Sequence, residues 1–424
     1  PDPDLPFSDS LIYTFRAAPG ACGALPGAGD QALPQVAGRW TAERARAWQE
    51  ASPWRIGANY LPAHCGNVLE MFDPATMGST LLAAEFEVRL ARTLGITTLR
   101  IFLHEELFVQ RGEAFLDDVA RLLDVLGRHG MVAMLVLFDA VWRPDAEDAV
   151  PILGVHNSAW VQCPTHRLLR AYAGGEPHAT DRLRRYVEAT VSRFATDARV
   201  AVWDIYNEAS MTHSEHWILP VLAQLNGWTE PPHHWLLDEE KQRVTLRLLV
   251  DAFTWARSAG PSQPLTSGVW TWPEDHNGDS TEAAIFRAVL SLSDVVSLHC
   301  YCDAEELDMK LAALESVGRP VMVTEFMARP VNSTFSSNLP VLKRHSSWGY
   351  MWGFVRGRSQ THLPWSSWQK PDLGVDALWF HDLLYENGTA YDEDEVKEIW
   401  WHAVGRDLRL QSPGLLGRGE TPSW

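Results

Sequence analysis

The sequence predicts an α/β protein built as one (β/α)8 barrel, with an irregular N-terminal extension and long loops after its strands. Three observations carry that expectation. Eight short apolar segments, rich in β-branched and aromatic residues, alternate with helical patterns from Arg55 onward, the signature of parallel βα units. Their count, spread over roughly 300 residues, suits a closed barrel better than an open sheet. No G-x-G-x-x-G follows the first segment, so the mark of a dinucleotide-binding sheet is missing.

Taken in order, residues 1–52 are rich in Pro, Gly and Ala around APGACGALPGAGDQALP, and are expected to pack on the barrel as an extension with a short helix near Thr41 to Glu50. The barrel is expected over 53–405 and a Pro/Gly-rich tail over 406–424. RIGANYL (55–61) reads as the first strand, and the helical spacing of 76–95 stops at Gly95, a natural C-terminal signal. Strand 97–103, helix 114–130 and strand 132–138 follow. A loop rich in Trp and His leads to an amphipathic helix over 181–195, then to strand VAVWDIY (200–206). The segment from 209 to about 237 reads as irregular, and a connector of that length is commonly functional. Helix 238–260, strand 264–270, helix 281–292, strand 294–301, helix 304–318, strand 320–326, a helix near 336–346 and strand 349–355 complete the set. One or two closing helices are expected over 375–405.

Composition excludes several classes. The chain of 424 residues is 46% hydrophobic and 21% charged, a globular balance. No apolar run reaches the length of about 18 residues needed to cross a membrane. The start, PDPDLPFSDS, shows no charged-then-apolar leader, which leaves a cytoplasmic protein and a secreted one with its leader removed equally open. A net charge of −18 repels phosphate, so nucleic acid is not an expected partner. Oligomeric state is not legible. The five cysteines are odd in number and scattered, unlike a disulfide framework. Cys300 and Cys302 alternate on a predicted strand and share a face, where a bridge would be strained, so all five are expected reduced. Twenty tryptophans offer flat apolar faces with a polar edge, which suit stacking on the C–H faces of sugars.

In a βα barrel the chemistry collects at the C-terminal ends of the strands. The first offers Asn59, the second Arg100 with His104 beyond it, the third Asp139 and Trp142, with His156 further along its loop. The fourth ends in Asn207 and Glu208, the fifth in Trp270 and Trp272. The sixth carries His299 and Tyr301, the seventh Glu325, the eighth Trp352 with Arg356 beyond. Two glutamates among Trp, Asn, His and Tyr make the set needed to cleave a glycosidic bond. One must stay protonated for the leaving group while the other stays ionised, and Arg with Tyr beside the second would hold it so. His and Cys residues with convincing metal-ligand spacing are absent from the sequence, so no metal and no cofactor is expected.

On these residues the chain resembles clan A glycoside hydrolases, and most of all family five, the cellulase and mannanase family. Asn207-Glu208 match the Asn-Glu of the fourth strand and Glu325 in VMVTEF the glutamate of the seventh. His299-Cys300-Tyr301, Arg100 and Trp352 match the family's His-x-Tyr, Arg and Trp, and GANYLP and TTLRIFLH resemble its first two strands. The likeness runs over roughly residues 54–357. It implies a retaining hydrolase of β-type O-glycosidic bonds, with Glu208 as acid/base, Glu325 as nucleophile and carboxyl groups about 5–5.5 Å apart. It also implies substrate-binding roles for Arg100, Asn207, His299, Tyr301 and Trp352, to which position adds Trp270, Asn59, His104, Asp139 and His156. Two departures stand out. Ala209 replaces the usual Pro after Asn-Glu, and Asp139 stands where many members carry His. The aromatic segments after strands three, four and eight favour a walled pocket and exo-action on a terminal sugar or short oligosaccharide. The alternatives are an endo-acting β-glycanase and a non-catalytic carbohydrate-binding barrel.

Overall fold

The computed structural model describes residues 37–146, 149–272, 278–371 and 378–405. Its strands are β1 (Ile56–Asn59), β2 (Thr98–Phe102), β3 (Val132–Asp139), β4 (Val200–Asn207), β5 (Leu265–Thr266), β6 (Gly268–Val269), β7 (Val296–His299), β8 (Val321–Phe326) and β9 (Gly349–Met351). All neighbouring pairs are parallel, in the order β5-β4-β3-β2-β1-β9-β8-β7-β6. β5 and β6 are the two halves of the fifth predicted strand, parted by Ser267. β5 pairs with β4 and β6 with β7, so the (β/α)8 barrel closes through one kinked strand. Ser267 Oγ donates to the Tyr206 carbonyl at 2.5 Å, which gives the kink a partner where ladder bonds lapse.

The interior of the barrel has two levels. Below, Met134, Val202, Met322 and Tyr350 form an apolar plug. Above it lie Arg100 and Asp204, both fully buried. Gly57 makes the lower level possible: a Cβ there would stand 2.5 Å from the Tyr350 ring and 2.7 Å from Thr98 Cγ2. The helix Ala42–Ala51 covers the lower rim, where Trp48 meets Trp348 at 5.2 Å and the preceding Trp40 N–H donates to Asp294 Oδ1 at 2.7 Å. The first 36 residues and 406–424, expected as extension and tail, lie outside the described residues.

Two expectations need correction, and one is made specific. The segment read as irregular after β4 contains a helix, His213–Asn226. Pro220 reads as a breaker, yet Ile218 and Leu222, four apart, both bury, and Gly227 at φ +68° supplies a left-handed stop. The closing helix expected over 375–405 is Glu393–Val404, and before it the chain makes turns such as Tyr385–Thr389. Finally, Cys300 and Cys302 are joined by a disulfide. The strand that would have strained it ends at His299, so both cysteines lie in a bend with Cα atoms 5.2 Å apart, within the usual range. Cys65 and Cys163 are free and buried.

Gly57→Ala is expected to lower stability by about 1–3 kcal/mol through overpacking against Tyr350, read as a lower urea midpoint with an unchanged slope.

Candidate active site

Arg100 is the residue around which the site is built. It points into the barrel from β2 and donates all five of its N–H groups. Nε and Nη2 reach Asp204 Oδ2 at 3.1 and 2.8 Å, Nη2 also reaches Asn207 Oδ1 at 2.7 Å, and Nη1 reaches Asn59 Oδ1 at 2.7 Å and Glu325 Oε1 at 2.8 Å. One side chain thus ties β1, β2, β4 and β8 together. Asn59 spends its amide on the carbonyls of Thr324 and Met351, so its polar atoms are engaged within the barrel.

Strand register sets the next ring. Asp139 is paired with Asn207, and His299 with Glu325. Asn207 Nδ2 donates to Asp139 Oδ1 at 2.8 Å, and Trp160 Nε1 donates to Asp139 Oδ2 at 2.6 Å. His299 Nδ1 lies 2.6 Å from Glu208 Oε1 and 3.6 Å from Glu325 Oε2, while Tyr301 donates its hydroxyl to Glu325 Oε2 at 2.7 Å. The His299 ring lies against Gly268, where any Cβ would overlap Nε2. Glu208 follows the last residue of β4 with φ +49°, a left-handed conformation that costs a non-glycine residue about 1–3 kcal/mol and is found at functional sites. An oxygen of Glu208, an oxygen of Glu325 and a ring nitrogen of His299 lie within 4.8 Å of one another. That grouping has the spacing of a metal-ligand set, although the 2.6 Å His299–Glu208 contact is already a hydrogen bond.

Electrostatics separates the carboxyl groups. Burial raises Glu208 to about 8, against the opposing pull of Arg100 and Lys241. Burial also raises Glu325, but His299 and Arg100 oppose it and Tyr301 donates to it; with a guanidinium and a phenol on its oxygens it ionises first. Burial lifts Asp139 to about 7 despite the hydrogen bonds from Asn207 and Trp160. His299 falls to about 4 and His156 to about 3, both through burial, so both rings are neutral near pH 7.

These groups open into a small, narrow cavity at the barrel mouth. Asp139, Asn207, Glu208, Glu325 and Tyr301 line its floor, with Trp142, His156, Trp160, Trp352 and Trp365 around them. The loop after β3 and the loop after β9 are clasped over it: the N–H of Asn157 donates to the Ser359 carbonyl at 2.8 Å, that of His156 to Ser367 Oγ at 2.8 Å, and His156 Nδ1 to the Leu363 carbonyl at 2.8 Å. His156 is therefore protonated at Nδ1, and its buried Nε2 has no hydrogen-bond partner among the described residues.

Of the residues singled out from sequence, Arg100, Asn207, Glu208, His299, Tyr301, Glu325, Asp139, His156 and Trp352 come together. His104 does not reach the cavity: its Nδ1 accepts from the N–H of Glu106 and its Nε2 meets the Gln162 carbonyl, capping the helix Glu105–Arg111. Trp270 stands to one side, donating to Ser210 Oγ at 3.0 Å. Arg356 lies at the surface near Glu386.

No family model matches the chain, and no curated protein matches it either. Among solved structures it is similar to a glycoside hydrolase family 5 mannosidase from Rhizomucor miehei (15% identity, TM-score 0.50, covering 84% of this chain and 93% of that one). It is also similar to an exo-beta-1,4-mannosidase from an Opitutaceae bacterium (16%, TM-score 0.51, 88% and 62%) and to an endo-beta-1,4-mannanase from Thermotoga petrophila (12%, TM-score 0.51, 84% and 77%). The chain thus spans about three-fifths of the Opitutaceae enzyme's length. The fold is that of family five glycoside hydrolases.

Sequence reasoning passed over Asp204, Trp160 and Trp365. Asp204 was legible in principle, because an acidic residue inside an apolar strand needs a buried partner and Arg100 is the cation of the neighbouring strands. Trp160 and Trp365 sit in loops whose path no periodicity reveals.

Arg100→Met is expected to destabilise the fold by about 3–5 kcal/mol, since it strands the Asp204 and Glu325 carboxylates inside the barrel. Guanidinium unfolding of the variant measures that loss.

Proposed function

We propose that the chain is a retaining β-glycosidase in which Glu325 is the nucleophile and Glu208 the general acid/base. The observation that carries this reading is the pairing of two buried glutamates with opposite surroundings. Glu325 accepts from Arg100 and Tyr301, whereas Glu208 has only the neutral His299 against Oε1. Two carboxyl groups with pKa values pushed apart divide the labour of acid and nucleophile. Their oxygen-to-oxygen approach within 4.8 Å supports direct attack, because inverting enzymes hold the carboxyls about 6.5–9.5 Å apart to admit a water.

In the first step an oxygen of Glu325 forms a bond to the anomeric carbon as the glycosidic C–O bond breaks, and Glu208 passes its proton to the departing oxygen. With Nδ1–H of His299 donating to Oε1, that proton resides on Oε2. In the second step Glu208, now ionised, takes a proton from water, whose oxygen displaces Glu325 and releases the sugar with its configuration retained. Tyr301 and Arg100 hold Glu325 in line and take up its charge when it leaves. Asn207, fixed between Arg100 and Asp139, keeps an N–H edge at the cavity, and Trp352 offers a flat wall to the ring.

The clasp between the loops after β3 and β9, with the small cavity below it, supports action at a chain end. The solved neighbours bear the names mannosidase and mannanase, so β-mannosides are the first substrates to try.

Glu208→Gln is expected to lower kcat by about 10²–10⁴-fold, and Glu325→Gln to bring turnover of aryl β-glycosides to background, with circular dichroism unchanged. Near-normal rates in either would remove that residue's role. Wild-type turnover should follow a bell-shaped pH profile. Glu208 is raised, so its acid form persists up to about 8, and activity is lost as pH climbs through that value. At low pH activity falls as Glu325 takes up a proton. A rate that stays flat above pH 9 would exclude Glu208 as the acid.

A further inference from the structure

Arg100 holds one oxygen of Glu325 and Tyr301 holds the other. The phenol meets Oε2 at 2.7 Å from the end of a long side chain, so a small backbone rotation would carry it out of hydrogen-bond range. The other groups that face Glu325 are Arg100 Nη1 of β2 at 2.8 Å on Oε1, His299 Nδ1 of β7 at 3.6 Å from Oε2, and the Glu208 carboxyl after β4.

The backbone that carries Tyr301 has already left regular structure. β7 ends at His299, and the helix Ala304–Glu315 opens on its cap Asp303. Residues 300–302 make the link. Beyond the Cys300 N–H, which donates to the Glu325 carbonyl at 2.9 Å, neither ladder nor helix sets the conformation at Tyr301.

The bridge between Cys300 and Cys302 closes this link across Tyr301 itself. Both cysteines are buried, and Lys310 Nζ lies 3.7 Å from Cys300 Sγ. Their carbonyls are held by the segment that follows β8, the strand of Glu325. Ser333 Oγ donates to the Cys300 carbonyl at 3.5 Å, and Asn338 Nδ2 donates to the Cys302 carbonyl at 3.1 Å and to Ser333 Oγ at 3.0 Å. Phenol and nucleophile are thus referred to one frame.

The span of the bridge points to its role. A disulfide stabilises a fold mainly by restricting the unfolded chain, and that gain shrinks with the length of loop it closes. At a sequence separation of 2 this one encloses Tyr301 alone and does little for the barrel as a whole. What it restricts in the folded protein is the backbone at Tyr301.

We infer that the Cys300–Cys302 bridge is a positioning device for the reaction: it fixes the backbone at Tyr301 so that the phenol stays on Glu325 through both displacement steps. The inference rests on the reading of Glu325 as the nucleophile. With the bridge absent, Tyr301 swings away and Arg100 is left as the direct donor to Glu325. Burial raises Glu325 and donation from Tyr301 opposes it. Losing that donation raises Glu325 further, so the acid limb of the rate profile moves to higher pH, while the alkaline limb set by Glu208 stays in place.

The test is a double-mutant cycle between the bridge and the phenol, run on the aryl β-glycoside that the wild type cleaves best. Cys300→Ala/Cys302→Ala is expected to lower kcat/KM by about tenfold and to move the acid limb to higher pH, as Tyr301→Phe also does. Adding the cysteine changes to Tyr301→Phe should alter the rate by less than about twofold, because the group they position is gone. Cys302→Ala alone opens the bridge and decides if the double variant does not fold. A bridge-free enzyme with the wild-type rate and acid limb would overturn the proposal. So would an equal loss with and without the phenol, or peptide mapping of wild-type protein purified without reductant that finds Cys300 and Cys302 as free thiols. If no glycoside is cleaved, the nucleophile reading fails by itself, and carbon-13 NMR titration of Glu325, assigned with Glu325→Gln, decides the bridge. A titration moved upward in the bridge-free and Tyr301→Phe proteins alike upholds the positioning role, and one unmoved in the bridge-free protein rejects it.

Discussion

The site depends on one buried cation. Arg100 satisfies all five donors within the barrel, and each acceptor comes from a strand that must be in register for the bond to form. A guanidinium in that position would be prohibitively costly without its carboxylates, and the carboxylates would be equally costly without it. The burial of Glu325 is tolerable because Arg100 reaches it with a direct hydrogen bond while its remaining donors are satisfied by Asp204, Asn207 and Asn59. Arg100 also breaks the symmetry between the two glutamates. Glu325 is bonded to Arg100 directly, whereas Glu208 meets it only through the longer-range field.

Around that centre the protein is conservative in its barrel and particular in its loops. Asp139 holds Trp160 and Asn207 at once, so it serves the cavity through two neighbours. His156, brought by the loop after β3, presents in the cavity wall a ring nitrogen with no hydrogen-bond partner among the described residues. The clasp between that loop and the one after β9 gives the cleft its walls. Trp142 stacks on Trp368 with planes 13° apart, so the aromatic residues in these loops buttress one another as well as lining the site.

The disulfide bears on the same site. Cys300 and Cys302 bracket Tyr301, the donor to Glu325. The strand pattern led to the opposite expectation, because alternation was read two residues too far. Where β7 stops at His299, the geometry of the pleat no longer applies. The helix His213–Asn226 lies inside a segment read as irregular from sequence, with Pro220 in its interior.

Local pattern was enough to determine the barrel, its eight strand positions and the residues at the strand ends. Alternation and helical spacing are short-range properties, and the strand ends follow from them. The pairing of Glu208 with Glu325 was legible for the same reason, since a barrel converts strand number into position around a ring. Tertiary structure alone decided what surrounds them. Asp204 as the second anchor of Arg100, Trp160 and Trp365 as walls and His104 as a helix cap all depend on where long loops cross the barrel mouth. Those paths are set by contacts between residues some two hundred positions apart, as between Asn157 and Ser359, and no local periodicity encodes them.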